Sequence, residues 1–182
     1  MKKHVPFTVA GIAALACVGW LAARHAEHVM LEKSIDSFRQ TLGPDTSFTY
    51  KKAWPGLLGR SVKFTALVFR QGQQSVTADD AEISKVSTTG DEARRIGHLV
   101  FHKFQFTDTS GNLRLDDLSL DGVTLPSKGD EKQGTPPQAL EIKHVDARKL
   151  HGFIASMQSD FTASSLKVDD YGNDEASHLD AK

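Results

Sequence analysis

The chain has little cysteine, no excess of charge and none of the short motifs of the common enzyme classes. Its single cysteine, Cys17, leaves no intrachain disulfide and no thiolate metal site. Lysine and arginine number 22 against 23 acidic residues, whereas a nucleic-acid binder carries a basic face. G-x-S-x-G, G-K-[ST] and H-E-x-x-H motifs are absent. The sequence therefore predicts a non-catalytic protein with no catalytic, cofactor-binding or metal-binding residues.

One spacing of apolar residues is abundant in the same chain. The order apolar-x-apolar-x-x-apolar-x-apolar occurs six times, and the fourth copy is extended by Val123 and Leu125. The copies are Val62, Phe64, Leu67, Phe69; Val76, Ala78, Ala81, Ile83; Leu99, Phe101, Phe104, Phe106; Leu113, Leu115, Leu118, Leu120; Leu140, Ile142, Val145, Ala147; and Phe161, Ala163, Leu166, Val168. A helix would scatter these positions around its axis, so the spacing does not predict one.

The spacing instead predicts long strands that each contain a β-bulge. Residues at i and i+2 share one face of a strand, and the next pair returns to that face only if a bulge absorbs one extra residue. Copies start at 62 and 76 and again at 99 and 113, and polar, glycine-containing segments at 70–75 and 107–112 separate the members of each pair. Two similar antiparallel hairpins are therefore expected.

The predicted fold class is mainly β, a twisted, bulged antiparallel meander of about seven strands over residues 44–171. The count includes a weaker copy at Phe48, Tyr50 and Ala53, and loops are expected at 87–97 and 126–137. Residues 113–127 also have the five-residue period of a pentapeptide-repeat β-helix, but that fold needs unbroken coils with a small inward residue, where this chain has leucine or valine. Residues 172–182 are predicted to be a disordered tail.

The N-terminus predicts a membrane anchor at 1–23. Lys2 and Lys3 precede an apolar run at 5–23, about 28 Å long as a helix, and favour a cytoplasmic N-terminus. The domain that follows would lie in the periplasm of a bacterium, with the chain crossing the inner membrane once. A cleaved signal peptide is the alternative, and a lipoprotein signal ending at Cys17 is a third. Residues 24–43 lack glycine and proline before Gly43, which predicts an amphipathic helix continuing the anchor.

Two sets of polar residues could bind a metal ion instead of simply lying on the surface. Aspartate pairs at 79–80, 116–117 and 169–170 supply calcium-type oxygen ligands, but they belong to different strands, so solvent-facing bulge residues are the preferred interpretation. His25 and His28 could share a metal, but the sequence indicates no third ligand. The remaining strand histidines are predicted on the surface: His98, His102, His144 and His151.

The apolar face of the sheet must be covered. Seven strands span roughly 34 Å, and one helix covers about a third of that width. Either the sheet closes on itself, or the face binds lipid or an apolar protein of the inner membrane or periplasm. The predicted contact residues for such a ligand are Phe64, Phe101, Phe104, Phe106, Leu115 and Leu120. The alternative is a structural or accessory subunit of an inner-membrane assembly with a closed core.

The chain resembles the AsmA-like, bridge-like lipid-transport proteins of Gram-negative envelopes. The resemblance covers most of residues 45–170 as a pattern, without a diagnostic motif. It lies in the N-terminal apolar segment, the lead-in at 55–64 and amphipathic strands such as 76–83 and 113–125. The resemblance implies a curved sheet with an apolar groove, an inner-membrane anchor and a role in lipid handling or envelope maintenance. The chain is much shorter than a long bridge, so transport across the envelope is not implied.

Overall fold

The computed structural model describes residues 28–41, 44–56, 61–89, 93–125, 140–172 and 178–181. Within these ranges one α-helix precedes nine strands, and a short 3-10 turn at Ala155–Met157 joins the seventh strand to the eighth. The elements are α1 His28–Thr41, β1 Thr46–Thr49, β2 Lys52–Pro55, β3 Ser61–Gln71, β4 Gln74–Thr89, β5 Ala93–Asp108, β6 Gly111–Thr124, β7 Glu141–Ile154, β8 Ser159–Tyr171 and β9 His178–Ala181.

All nine strands belong to one antiparallel sheet. Its order is β1-β3-β4-β5-β6-β7-β8-β9, and β2 pairs with β3 beside β1. Neighbours in the chain are therefore neighbours in the sheet along β3 to β9. The mainly β, antiparallel meander predicted from the sequence is confirmed.

The strand registers explain the apolar spacing. Each pair of long strands keeps one register throughout, but pairing is interrupted where the two apolar pairs of a copy meet or just beyond the end of a copy. The interruptions line up across the sheet in two rows. The first row contains Ala66, Asp79, Lys103, Asp116, Lys149 and Ser164, and the second contains Lys85, Gly97, Gly122, Lys143 and Asp170. Because facing strands carry the extra residue together, each bulge returns the next apolar pair to the same face.

Backbone conformation alternates from strand to strand along both rows. In the first row φ is positive at residues 66, 103 and 149, and in the second at residues 85, 122 and 170, with values between 49° and 64°. Only Gly122 among these six is a glycine. The other five adopt a left-handed conformation that costs an L-residue about 1 kcal/mol or more, so the bulges are maintained by the sheet around them.

The two predicted hairpins are present. Gly72 and Gln73 form the turn between β3 and β4, and Gly72 has a φ of 58°. Thr109 and Ser110 form the turn between β5 and β6, where the Asp108 carboxylate accepts hydrogen bonds from the backbone N–H groups of Ser110 (2.8 Å) and Gly111 (3.0 Å). Both turns fall inside the predicted connections.

Helix α1 lies within the segment predicted to be an amphipathic helix. Leu31 and Ile35, one turn apart, are buried in the core. One turn further on, the Arg39 guanidinium donates from Nε to the carbonyl oxygen of Phe48 (3.0 Å) and lies 5.0 Å from the centre of the Tyr50 ring. Partial burial raises the pKa of Tyr50, and the nearby Arg39 charge opposes this shift. These contacts attach the helix to the β1 and β2 end of the sheet.

Three sequence-based boundaries differ from the structure. The weak first copy is two short strands, β1 and β2, rather than one. The predicted loop at 87–97 is largely strand, since β4 extends to Thr89 and β5 begins at Ala93. The predicted disordered tail contains β9, which pairs with β8 from Leu166 to Asp169. These segments are short and polar, and they join the sheet through backbone pairing. Because they lack alternating apolar residues, the apolar pattern could not reveal them.

Several predictions lie outside the described residues: the anchor at 1–23, the first residues of the amphipathic segment with His25, and the loop at 126–137. In the part of the chain that the structure describes, no helix is both long enough and apolar enough to cross a membrane.

Candidate functional site

All six residues predicted to contact a ligand lie in one buried core. Each has 7% or less of its surface exposed, and Phe101 is completely buried. Rings of Phe101 and Phe104 contact each other with centroids 5.5 Å apart. The six side chains are therefore brought together, as predicted, but little of their surface is accessible.

Along one row of this core, each alanine lies between two larger side chains. Directly paired residues across β3 to β8 are Phe64, Ala81, Phe101, Leu118, Ala147 and Leu166. Ala81 is 2% exposed between two phenylalanines. Packing of this kind fills the space between facing side chains and is typical of a closed core.

The apolar face becomes accessible at β8. Ala163, Leu166 and Val168 are only half-buried, although they belong to the same apolar pattern. At the β7–β8 hairpin three large apolar residues are exposed, namely Ile154 (37%), Met157 (70%) and Phe161 (42%). We call these three residues the hairpin patch. It is the margin of the face that continues into the core.

Gly152 positions the Phe161 ring within this patch. The two residues pair directly between β7 and β8, and a Cβ atom on Gly152 would lie 2.2 Å from the ring. The ring therefore lies across the glycine backbone, an arrangement that compensates for the missing side chain in a strand. Its outer side stays in contact with solvent.

The opposite face of the sheet carries ordered charge pairs. His98 on β5 donates from Nδ1 to Asp121 on β6 (2.5 Å), and His144 on β7 donates to Asp169 on β8 (2.7 Å). Asp121 and His144 are themselves directly paired residues, so the four side chains form one alternating row. Four residues further along β5, His102 donates to Asp117 (2.7 Å). Exposed cross-strand pairs of this kind contribute roughly 0.2–1 kcal/mol each.

A second charge cluster lies in the first bulge row. The Asp116 carboxylate on β6 binds Lys103 of β5 at 2.6 Å and Lys149 of β7 at 2.9 Å. The hydrogen bond from Lys103, followed by that from Lys149, lowers the pKa of Asp116 from 3.8 to about 2. The same contact raises the pKa of Lys149 above its usual value. Both lysines have positive φ, and they reach the aspartate from the two neighbouring strands.

A cleft of about 560 Å³ lies beside Trp54 on this face. Its lining includes Lys63 and Glu82, which form an ion pair at 2.9 Å. Asp80, His98 and His102 also line it. Across the described ranges, no group of three histidine, cysteine or acidic side chains has a geometry that could hold a metal ion. The cleft offers hydrogen-bonding groups and one aromatic wall.

Ser84, His98 and Asp121 occupy directly paired positions on β4, β5 and β6. Asp121 binds Nδ1 of the imidazole, as the carboxylate of a catalytic triad does. Among the described residues, however, no hydrogen bond joins Ser84 to His98, whose Nδ1 donates to Asp121. The row holds the His98 imidazole against the Asp121 carboxylate.

The two edges of the sheet differ. The first edge consists of two four-residue strands with Lys51, Lys52 and Pro55, and α1 is attached to it through Arg39. Such features protect edges against pairing with other chains. At the other edge, β9 covers only residues 166–169 of β8. No described strand pairs with the outer side of residues 159–165, and Ser159, Asp160, Thr162 and Ser164 are exposed.

Sequence reasoning missed the alternating His–Asp row. The signal was present, because His98 and His144 each precede the apolar residue of a copy while Asp121 and Asp169 each follow one. Antiparallel pairing brings such positions opposite each other. The β8 edge was not predictable in this way, since it depends on where β9 ends.

Comparison of the chain with protein-family models and with curated proteins found no match.

Proposed function

We propose that the protein is a non-catalytic accessory subunit of a bacterial inner-membrane assembly, anchored by residues 1–23, with a closed β-domain in the periplasm. The near-complete burial of Phe64, Phe101 and the other four predicted contact residues supports this proposal over a lipid-filled groove. The hairpin patch is then the surface through which the domain contacts another protein. Exposed apolar groups on an otherwise charged surface are typical of such contacts.

Overpacking tests whether the core is closed. Ala81→Leu adds three carbons between Phe64 and Phe101, and in a filled core this substitution is expected to cost about 1–3 kcal/mol of unfolding free energy. Ala163→Leu is the matched control, since it lies on the same face of the half-buried β8 and should cost much less. Urea unfolding of the purified proteins measures both changes.

The same variants distinguish a lipid groove from a closed core. Native mass spectrometry of the wild-type protein after delipidation in detergent is expected to show no stoichiometric phospholipid. A retained lipid that Ala81→Leu displaces without loss of stability would contradict the proposal.

Lipid contact at β8 is a second candidate function, favoured by the half-buried Ala163, Leu166 and Val168. Here an acyl chain would lie along the accessible margin and not inside the core. A photoactivatable fatty acid should then label Phe161 and its neighbours, and labelling confined to 1–23 would exclude this candidate.

The proposed compartment is tested with a reporter enzyme that is active only outside the cytoplasm. Fused at the C-terminus of the full chain it should be active, and cells should retain the fusion in the membrane fraction. Release in soluble form would instead indicate a cleaved signal peptide.

A further inference from the structure

We propose that a second copy of this chain pairs with the outer edge of β8, forming a two-fold dimer with one continuous sheet. The proposal deepens the proposed function, because it names the partner at the margin where the hairpin patch lies. Residues 159–165 are extended, pair with β7 on one side only and have no strand on their outer side in the described structure, and five of the seven are exposed. Extended backbone with unpaired N–H and C=O groups readily accepts another strand.

The length of the open segment fixes the register. Seven residues of β8, 159–165, precede the part that β9 covers, and Thr162 is the central one. Antiparallel pairing about a two-fold axis at Thr162 uses all seven and leaves β9 in place. A shift by two residues towards β9 would bring the incoming strand against Ala181.

Side chains at this edge are compatible with their own copy. In the proposed register Phe161 meets Ala163 of the second copy on the apolar face, so a large ring faces a methyl group. On the polar face Asp160 meets Ser164, and Asp160 is the only charged residue in the segment. No like charges are therefore directly opposed, whereas an edge designed to resist pairing carries lysine or proline.

The asymmetry between the two edges limits the assembly to two copies. The β1 and β2 edge is divided, basic and attached to α1, whereas residues 159–165 of β8 have no described strand on their outer side. An interface that uses the same surface on both copies closes after one pairing. The axis is perpendicular to the sheet, so both apolar faces lie on the same side and the two copies of Phe161 become neighbours across it.

Two lysine substitutions on one strand test this register in the full-length chain. Thr162→Lys places two lysines opposite each other and should raise the dimer dissociation constant at least about tenfold. Ser164→Lys introduces the same charge two residues away, opposite Asp160 of the second copy, and should leave the constant unchanged or lower it. Sedimentation velocity in detergent measures both dissociation constants. Because both variants retain residues 1–23, any association through the anchor is the same in both and does not affect their difference.

Crosslinking provides an independent readout. With Cys17→Ser in the background, Thr162→Cys should form a disulfide-linked dimer on oxidation, because directly opposed residues lie within disulfide range. Ser159→Cys is the control, since its own copy lies six positions away along the paired strands. A wild-type chain that stays monomeric at high micromolar concentration, or equal effects of the two lysines, would overturn the dimer. Neither result affects the lipid test or the unfolding measurement on Ala81→Leu, which examine the core.

Discussion

Phe106 and Phe161 show that the same side chain is buried to very different extents at the centre and at the margin of the sheet. Both lie on the apolar face in one row, in which Phe106 pairs with Leu113, Leu113 with Gly152, and Gly152 with Phe161. Phe106 is 7% exposed and Phe161 is 42% exposed. The apolar pattern therefore determines which face a residue occupies, whereas its position in the strand order determines how deeply it is buried.

The difference has a structural cause. A strand in the centre has neighbours on both sides, so each apolar side chain packs against residues from two strands. The N-terminal half of β8, residues 159–165, has β7 on one side and no described strand on the other. Phe161 compensates only in part by lying over Gly152.

Truncating these two phenylalanines tests the comparison most directly. Phe106→Ala should lower the unfolding free energy by about 3–4 kcal/mol, because it removes buried apolar surface and leaves a cavity. Phe161→Ala should cost about 1 kcal/mol or less, since much of the ring is already in water. Urea denaturation measures the two free-energy changes, provided that both variants have the same dependence of unfolding free energy on urea concentration. Equal losses would show that the margin is as well packed as the centre.

The sequence predicts the centre well. Its bulges and its two hairpins follow from the apolar spacing alone, because one extra residue per copy is the only way to keep residues such as Leu118 and Leu120 on the face of Leu113 and Leu115. Face assignment is a local property of a strand, and local properties are visible in a pattern.

The margin and the charged face are harder to predict. Burial of Phe161 depends on where β9 pairs, and β9 has no alternating pattern. The Asp116 cluster depends on positive φ at Lys103 and Lys149, which residue type does not reveal because lysine has no preference for that conformation. The candidate contact residues were correctly grouped on one face, but their accessibility depends on how the whole sheet packs.

The second bulge row sharpens the comparison through the backbone. Gly122 in the centre and Asp170 at the margin occupy the same row with φ of 64° and 55°. Gly122→Ala should cost about 1–2 kcal/mol, because a left-handed L-residue is strained and its Cβ would lie 2.8 Å from the Lys143 side chain.

The reverse substitution, Asp170→Gly, removes such strain at the margin and should raise stability by up to about 1 kcal/mol. Thermal unfolding, followed by circular dichroism, distinguishes the expected loss of stability in Gly122→Ala from the expected gain in Asp170→Gly. A gain from Gly122→Ala would mean that the row does not require a left-handed residue in β6.

The smallest expected effect belongs to the charged face, where Asp116→Asn removes both lysine contacts. The pKa of Asp116 is about 2 when folded and 3.8 ordinarily, so its carboxylate stabilises the folded state above pH 3.8. That contribution falls as the pH drops from 3.8 towards 2, where the folded group also becomes protonated. The free-energy difference between the wild-type protein and Asp116→Asn should therefore be constant near neutral pH and shrink in this window.

Asp160→Asn is the control at the margin. Its carboxylate lies 3.9 Å from His151, and no lysine in the described ranges lies within ion-pair distance of it. Because Asp116 is solvent-accessible, added salt should also reduce its contribution, since screening weakens exposed pairs. Urea unfolding at a series of pH values, each at low and high salt, measures both dependences. A difference for Asp116→Asn that persists unchanged to pH 2 would show that its effect comes from packing of the side chain and not from its charge.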